Sequence, residues 1–146
     1  SNQPKTKLHS QMDNGALSSS IKIEGHQPLE MNPVDAKDRG ITDGDIVRVF
    51  NKRGACLCGV NITNDVMPGV VIISTGSWYD PVDPTDPNSM CKHGNPNVLS
   101  PDIGTSKLGQ GPAAHSCLAE IELYDGPAQN ITAFDPPEII KNRNDQ

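Results

Sequence analysis

Two short polar clusters in this sequence carry side chains that could bind a ligand. Leu8-His9-Ser10-Gln11 puts three consecutive hydrogen-bonding side chains after a basic Lys5-x-Lys7. His93-Gly94-Asn95-Pro96-Asn97 lets glycine and proline shape the backbone while two carboxamides project from it. Each carboxamide offers two donors and a two-lone-pair acceptor, a set that suits the edge of a heteroaromatic ring such as a pterin or guanine. The structural alternative is that both clusters are turns whose side chains satisfy their own backbone.

Catalytic and metal signatures are harder to assemble. No Gly-x-Ser-x-Gly elbow occurs, nor any glycine-rich loop of the P-loop or dinucleotide type. The paired acids Asp43/Asp45 and Asp83/Asp86 sit in turn sequences, where aspartate serves the backbone. The four cysteines are Cys56, Cys58, Cys91 and Cys117. Cys56-Leu57-Cys58 would set two thiols on one face of a strand, and neither it nor Cys91-Lys92-His93 has the spacing of a tetrahedral metal site. These cysteines read as free thiols, buried or half-buried, with disulfides left open. A hydrolase built on His93 and Asp102 has no identifiable nucleophile.

The charge balance narrows the partners. Twelve Lys+Arg face 18 Asp+Glu, a formal charge of −6 that argues against nucleic acid. No apolar run approaches the length of a membrane span, so no membrane insertion is expected. The first residues, Ser1-Asn2-Gln3-Pro4-Lys5, lack the apolar stretch of a signal peptide, so any targeting signal would lie outside this chain.

The elements that must position the clusters are mostly strands. Hydrophobic residues make up 34% and aromatic residues 3%, so the core is aliphatic, and 13 Gly with 13 Pro imply many turns. The first 19 residues read as a loop or arm. Ile21-Lys22-Ile23 reads as a short strand ending at Gly25, and Pro28 to Met31 as an extended piece. Asn32 is placed to cap a short helix with Pro33 at its first position, Asp35 in its first turn and Gly40 beyond its end. Ile46–Phe50, Ala55–Thr63 and Val70–Ser74 then read as three strands of a meander. In the second, Cys56, Cys58, Val60 and Ile62 share one face. Residues 75 to 115 form a long ordered loop region, the first place to look for a site. Ser116–Tyr124 is the expected closing strand, and the chain from Asp125, through Pro136-Pro137 to Gln146, an arm or docking segment.

Longer strings carry a resemblance. Leu8-His9-Ser10-Gln11, Asn32-Pro33-Val34-Asp35-Ala36, and Arg39-Gly40-Ile41-x-Asp43-Gly44-Asp45-Ile46-Val47-Arg48-Val49-Phe50-Asn51 occur in order. Arg53-Gly54, Pro68-Gly69-Val70-Val71 and Thr75-Gly76-Ser77-Trp78-Tyr79-Asp80-Pro81 follow. His93-Gly94-Asn95-Pro96-Asn97-Val98-Leu99 and Asp102-x-Gly104-Thr105-Ser106-Lys107-Leu108 complete the series. Together they resemble the C-terminal molybdopterin-dinucleotide-binding domain of the DMSO-reductase family, in the trimethylamine-N-oxide and biotin-sulfoxide reductase branch. The match runs collinearly over roughly residues 5 to 125.

The resemblance implies a mainly β fold, a double-psi β-barrel of the aspartate-decarboxylase type with short helices and long ordered loops. It divides the chain into a cofactor-binding barrel over 1–125 and an arm or docking tail over 126–146. It implies a domain of a bacterial molybdenum oxidoreductase that reduces S- or N-oxides. The cofactor would be Mo-bis(molybdopterin guanine dinucleotide), shared with domains this chain lacks. His9, Ser10 and Gln11 would form one cofactor-contacting loop, Trp78 would border the site, Asn95 and Asn97 would bind cofactor edges, and Gln110 would join them. The family's metal-ligating serine and substrate funnel belong to earlier domains. No residue here is therefore assigned as catalytic or as a metal ligand, and the chain reads as a piece of a larger enzyme, inactive alone. Its partners would be the remaining domains of the catalytic subunit and an electron donor, a c-type cytochrome or other reductase. The periplasm is favoured over the cytoplasm. The rival reading is a stand-alone double-psi barrel that docks a partner protein; such a module would have no reason to keep both polar clusters.

Overall fold

In the computed structural model, described over residues 3–111 and 117–137, a five-stranded mixed sheet is built around one central strand. Residues Ser1, Asn2, 112–116 and 138–146 lie outside this description. They include Ser116, the first residue of the expected closing strand, and the 141–146 end of the expected arm. The elements in chain order are α1 (Ala16–Ser20), β1 (Pro28–Met31), α2 (Pro33–Asp38), β2 (Ile46–Asn51), β3 (Gly54–Ile62), β4 (Val71–Ile73), a 3-10 turn at Pro96–Val98, and β5 (Glu120–Leu123).

Local sequence chemistry accounts for several of these. The Asn32 side chain accepts the Val34 N–H at 2.9 Å, Pro33 occupies the first helical position, and Gly40 turns left-handed just past the end, so α2 forms where its caps dictate. Asn51-Lys52-Arg53 turns β2 back onto β3 in register from Ile46↔Gly59 to Asn51↔Gly54.

The meander does not form. The sheet order is β4-β1-β3-β2-β5, with β1 parallel to β3 and β4 antiparallel to β1. β2 takes one edge of β3 through the hairpin and β1 takes the other, so β4 cannot continue the meander beside β3; it adds to the outer edge of β1, and β5 takes the outer edge of β2. Flanked on both sides, β3 is buried on both faces from Ala55 to Val60, so Leu57 is as inaccessible as Cys56 and Cys58. Leu29, Met31, Val47 and Val49 share its core, each worth about 1.5–3 kcal/mol when fully buried. Cys56, Cys58 and Cys91 are buried free thiols and Cys117 is an exposed one. Burial and the neighbouring Cys56 thiol push Cys58 well above its ordinary range, the contact with Cys56 first, so it stays protonated.

Two N-terminal expectations are also corrected. The first 19 residues are no arm: Lys7, Asp13 and Ser18 are buried, and α1 is tied back by Ser18 Oγ donating to the Thr6 carbonyl at 3.2 Å. Ile21-Lys22-Ile23 is not a strand but the approach to a tight turn, in which Ile23 and His26 exchange backbone hydrogen bonds around Glu24 and Gly25. Among the described residues no helix is long and apolar enough to cross a membrane.

Candidate functional site

Three distant stretches of chain meet at one concavity of about 490 Å3. It is lined by His9 and Ser10, by Thr75 to Tyr79, and by Asn95 and Asn97. Each stretch is held there for a separate reason. The chain leaving β4 passes through Gly76, whose φ of +97° favours glycine. A Cβ at Gly76 would stand 1.7 Å from the His9 carbonyl oxygen, so only hydrogen fits between the two loops. Asn95 caps the 3-10 turn by accepting the Asn97 N–H at 2.9 Å, which fixes that turn at the rim. The exposed Asn97 carboxamide makes no hydrogen bond among the described residues.

Trp78 joins the first two stretches. Its backbone N–H donates to Asp13 Oδ2 at 3.0 Å, and its indole N–H donates to the Ser10 carbonyl at 2.8 Å. Trp78 remains 38% exposed and lines the concavity.

Beneath the floor lies a buried charge cluster. Asp13 Oδ1 accepts from the ammonium groups of both Lys7 and Lys22, the latter at 3.0 Å, and Lys7 also donates to Gln27 Oε1 at 3.0 Å. All three charged side chains are almost wholly removed from solvent. Burial alone would raise the Asp13 pKa, but the hydrogen bonds from Lys7, Lys22 and the Trp78 N–H together hold it below the ordinary value. Burial lowers Lys22 despite its carboxylate partner. His93 is fully buried, and its Nδ1 donates to the Trp78 carbonyl at 2.9 Å. A carbonyl can only accept, so Nδ1 carries the proton. Burial and the Lys22 charge lower the His93 pKa, so the ring is neutral and its Nε2 is a bare acceptor with no partner among the described residues. Its 3.9 Å separation from Asp13 Oδ2 is therefore no ion pair.

The chain after β5 returns to this cluster. Thr132 donates both its N–H, at 2.7 Å, and its hydroxyl, at 2.8 Å, to the Asp80 carboxylate. Phe134 meets Trp78 and His93 edge-to-face, with centroids 5.2 and 5.1 Å away, and lies 5.7 Å from the Lys22 ammonium.

Of the seven residues singled out from sequence, His9, Ser10, Trp78, Asn95 and Asn97 line the concavity. Gln11 stands exposed on the outer side of its turn, with its N–H donated to the Leu8 carbonyl. Gln110 is exposed in the 104–111 loop, where its side chain donates to the Lys107 carbonyl at 3.3 Å. Sequence reasoning missed Lys7, Asp13, Lys22 and Phe134. The one signal for the last was scarcity, since Phe134 is one of two phenylalanines in the chain and stands in a polar tail. Among the described residues no three metal-ligating side chains converge.

Comparison with known proteins gives the family. A dimethyl sulfoxide/trimethylamine N-oxide reductase from Rhodobacter capsulatus is 49% identical over 138 residues, 94% of this chain and 17% of the relative. A trimethylamine-N-oxide reductase from Salmonella typhimurium is 50% identical over 92% of this chain and 16% of its own length. A biotin sulfoxide reductase from Cereibacter sphaeroides is 46% identical over 88% of this chain and 17% of its length. The chain thus spans about one sixth of the curated relatives it matches. Among solved structures, acetylene hydratase from Pelobacter acetylenicus superposes with a TM-score of 0.64 over 84% of this chain and 17% of that one; at 16% identity this likeness is one of fold. The family described as "Molydopterin dinucleotide binding domain" matches residues 1–118, and the chain belongs to it.

Proposed function

We propose that this chain is the domain of a bacterial S- or N-oxide reductase that holds part of Mo-bis(molybdopterin guanine dinucleotide), the rest being held by domains outside it. Its architecture would be a double-psi β-barrel over residues 1–125, with 126–146 as the attached arm. The observation that carries the reading is the convergence of His9-Ser10, Gly76–Trp78 and Asn95/Asn97 on one concavity. The Asn97 carboxamide, which makes no hydrogen bond among the described residues, offers donors and an acceptor that match the edge of a pterin. Trp78, 38% exposed at the same concavity, adds a flat apolar wall. The residues fit the group.

When bound, the molybdenum cofactor supplies the two-electron chemistry by which an oxide, two protons and two electrons give the reduced product and water. This chain's residues would do the holding. Asn95, Asn97, His9 and Ser10 would orient the ring edges, and Trp78 would close one side against water. Gln11 and Gln110 lie outside the concavity, so a cofactor role for them rests on the family resemblance alone. Metal ligand and substrate channel would come from the other domains, electrons from a c-type cytochrome or similar donor, and the periplasm would be the site of action.

The test is Asn97→Ala in the full-length protein. The exposed carboxamide packs nothing, so the fold should be unchanged while molybdenum retained after gel filtration drops several-fold. Full retention would overturn the assignment.

A further inference from the structure

The segment from Ile131 to Asp135 lies beyond the family match, which ends at residue 118, yet it packs against the floor of the concavity. Three observations bear on what it does there. Thr132 anchors it by two hydrogen bonds to Asp80, a residue 5% exposed whose carboxylate also pairs with Lys92 at 3.5 Å. Ile131 seats its side chain against Gly25, in the turn that follows Lys22. Phe134 then meets Trp78, His93 and Lys22 at once, three residues drawn from three separate stretches of chain. An aromatic edge-to-face contact stabilises beyond its buried area, and here one ring makes two of them. Without that ring, water would reach Lys22 and His93, and the indole of Trp78 would keep only its bond to Ser10 as a restraint.

We propose that Phe134 is a positioning residue for the concavity. It fixes the Trp78 ring from behind and keeps water from the buried Lys22–Asp13–His93 cluster, while Thr132 on Asp80 holds the segment in register. Only the consequence for cofactor retention rests on the reading of the concavity given above.

The test compares the full-length protein with its Phe134→Ala, Phe134→Leu and Phe134→Tyr variants by hydrogen–deuterium exchange resolved on peptides. Phe134→Ala and Phe134→Leu should speed exchange over residues 76–80 about tenfold, the loss of two ring contacts, and leave β2 and β3 as slow as before. Phe134→Tyr, which keeps the ring, should hold exchange within about twofold of the parent. Unchanged exchange at 76–80 would overturn the proposal, and so would equal acceleration in β2 and β3, which would make Phe134 a general stabiliser. Should the alanine variant fail to fold, the leucine variant carries the same comparison. Molybdenum content of the same samples separates the two readings. Faster exchange with full molybdenum would leave Phe134 a positioning residue and remove the cofactor from this concavity.

Discussion

Trp78 donates its indole N–H to the carbonyl of Ser10 at 2.8 Å, across 68 residues of sequence. The bond closes a loop of chain that begins at one polar cluster and ends beside the other. The turn carrying His9 and Ser10 is therefore tied to a ring that itself packs edge-to-face on Phe134.

Replacing Trp78 with phenylalanine should keep the apolar wall and lose the bond. A hydrogen bond of this kind contributes about 1 kcal/mol, so the 8–11 turn should loosen while the sheet stays intact. Cofactor dissociation from the full-length protein should become several-fold faster. An unchanged off-rate would mean that the Ser10 carbonyl is held by other contacts.

Gly76→Ala should be far more damaging than its size suggests. The new methyl group would collide with the His9 carbonyl, and the backbone would have to keep a φ of +97°. Holding alanine there costs of order 1–3 kcal/mol before the collision is counted. Equilibrium urea unfolding measures this, and a loss below about 1 kcal/mol would show that the two loops can part cheaply.

Asp13→Asn would leave two buried ammonium groups facing a neutral amide. Breaking a buried pair in this way costs about 3–5 kcal/mol. The same carboxylate sets an acid limit. Its folded pKa is lowered, so its contribution is complete above the ordinary 3.8 and disappears as the pH falls through the folded value. Acid unfolding of Asp13→Asn should lack that phase; an identical acid limb would remove Asp13 from this role.

His26 and His93 should give stability a second pH dependence at milder pH. Burial lowers both from the ordinary 6.5, so below 6.5 the unfolded chain takes up protons that the folded one refuses. Stability is therefore complete above pH 6.5 and falls below it until both folded groups are protonated. His26→Gln and His93→Gln should each flatten that slope in a series of melting curves, and a slope unaffected by either change would place its origin elsewhere.

Features set by near neighbours were legible in the sequence. The Asn32-Pro33 cap, the β2–β3 hairpin and the run Pro28–Met31 need only a few adjacent residues to specify them. The parallel pairing of β1 with β3 was not legible, because nothing in Pro28–Met31 names a partner that begins 26 residues later at Gly54. Nor was the burial of Lys7, Asp13 and Lys22, since charged residues default to solvent and become interior only when their partners arrive. The polar clusters stood out by residue type, whereas Phe134, which lies behind them, did not, because its partners come from residues 22, 78 and 93.

The two edges of the sheet become available at different times as the chain is made. β2 pairs with β3 as soon as the hairpin emerges, but its other edge stays open until Glu120–Leu123 arrives, about 60 residues after Ile62. At roughly 5–20 residues per second that is several seconds of exposed strand. The alternating charges of Arg48, Glu120 and Glu122 along this seam add little to final stability, at an exposed Arg48–Glu122 distance of 2.8 Å. Their larger effect is on the growing chain, where the lone cation on the waiting edge favours the acidic β5 over an apolar strand from a neighbouring molecule.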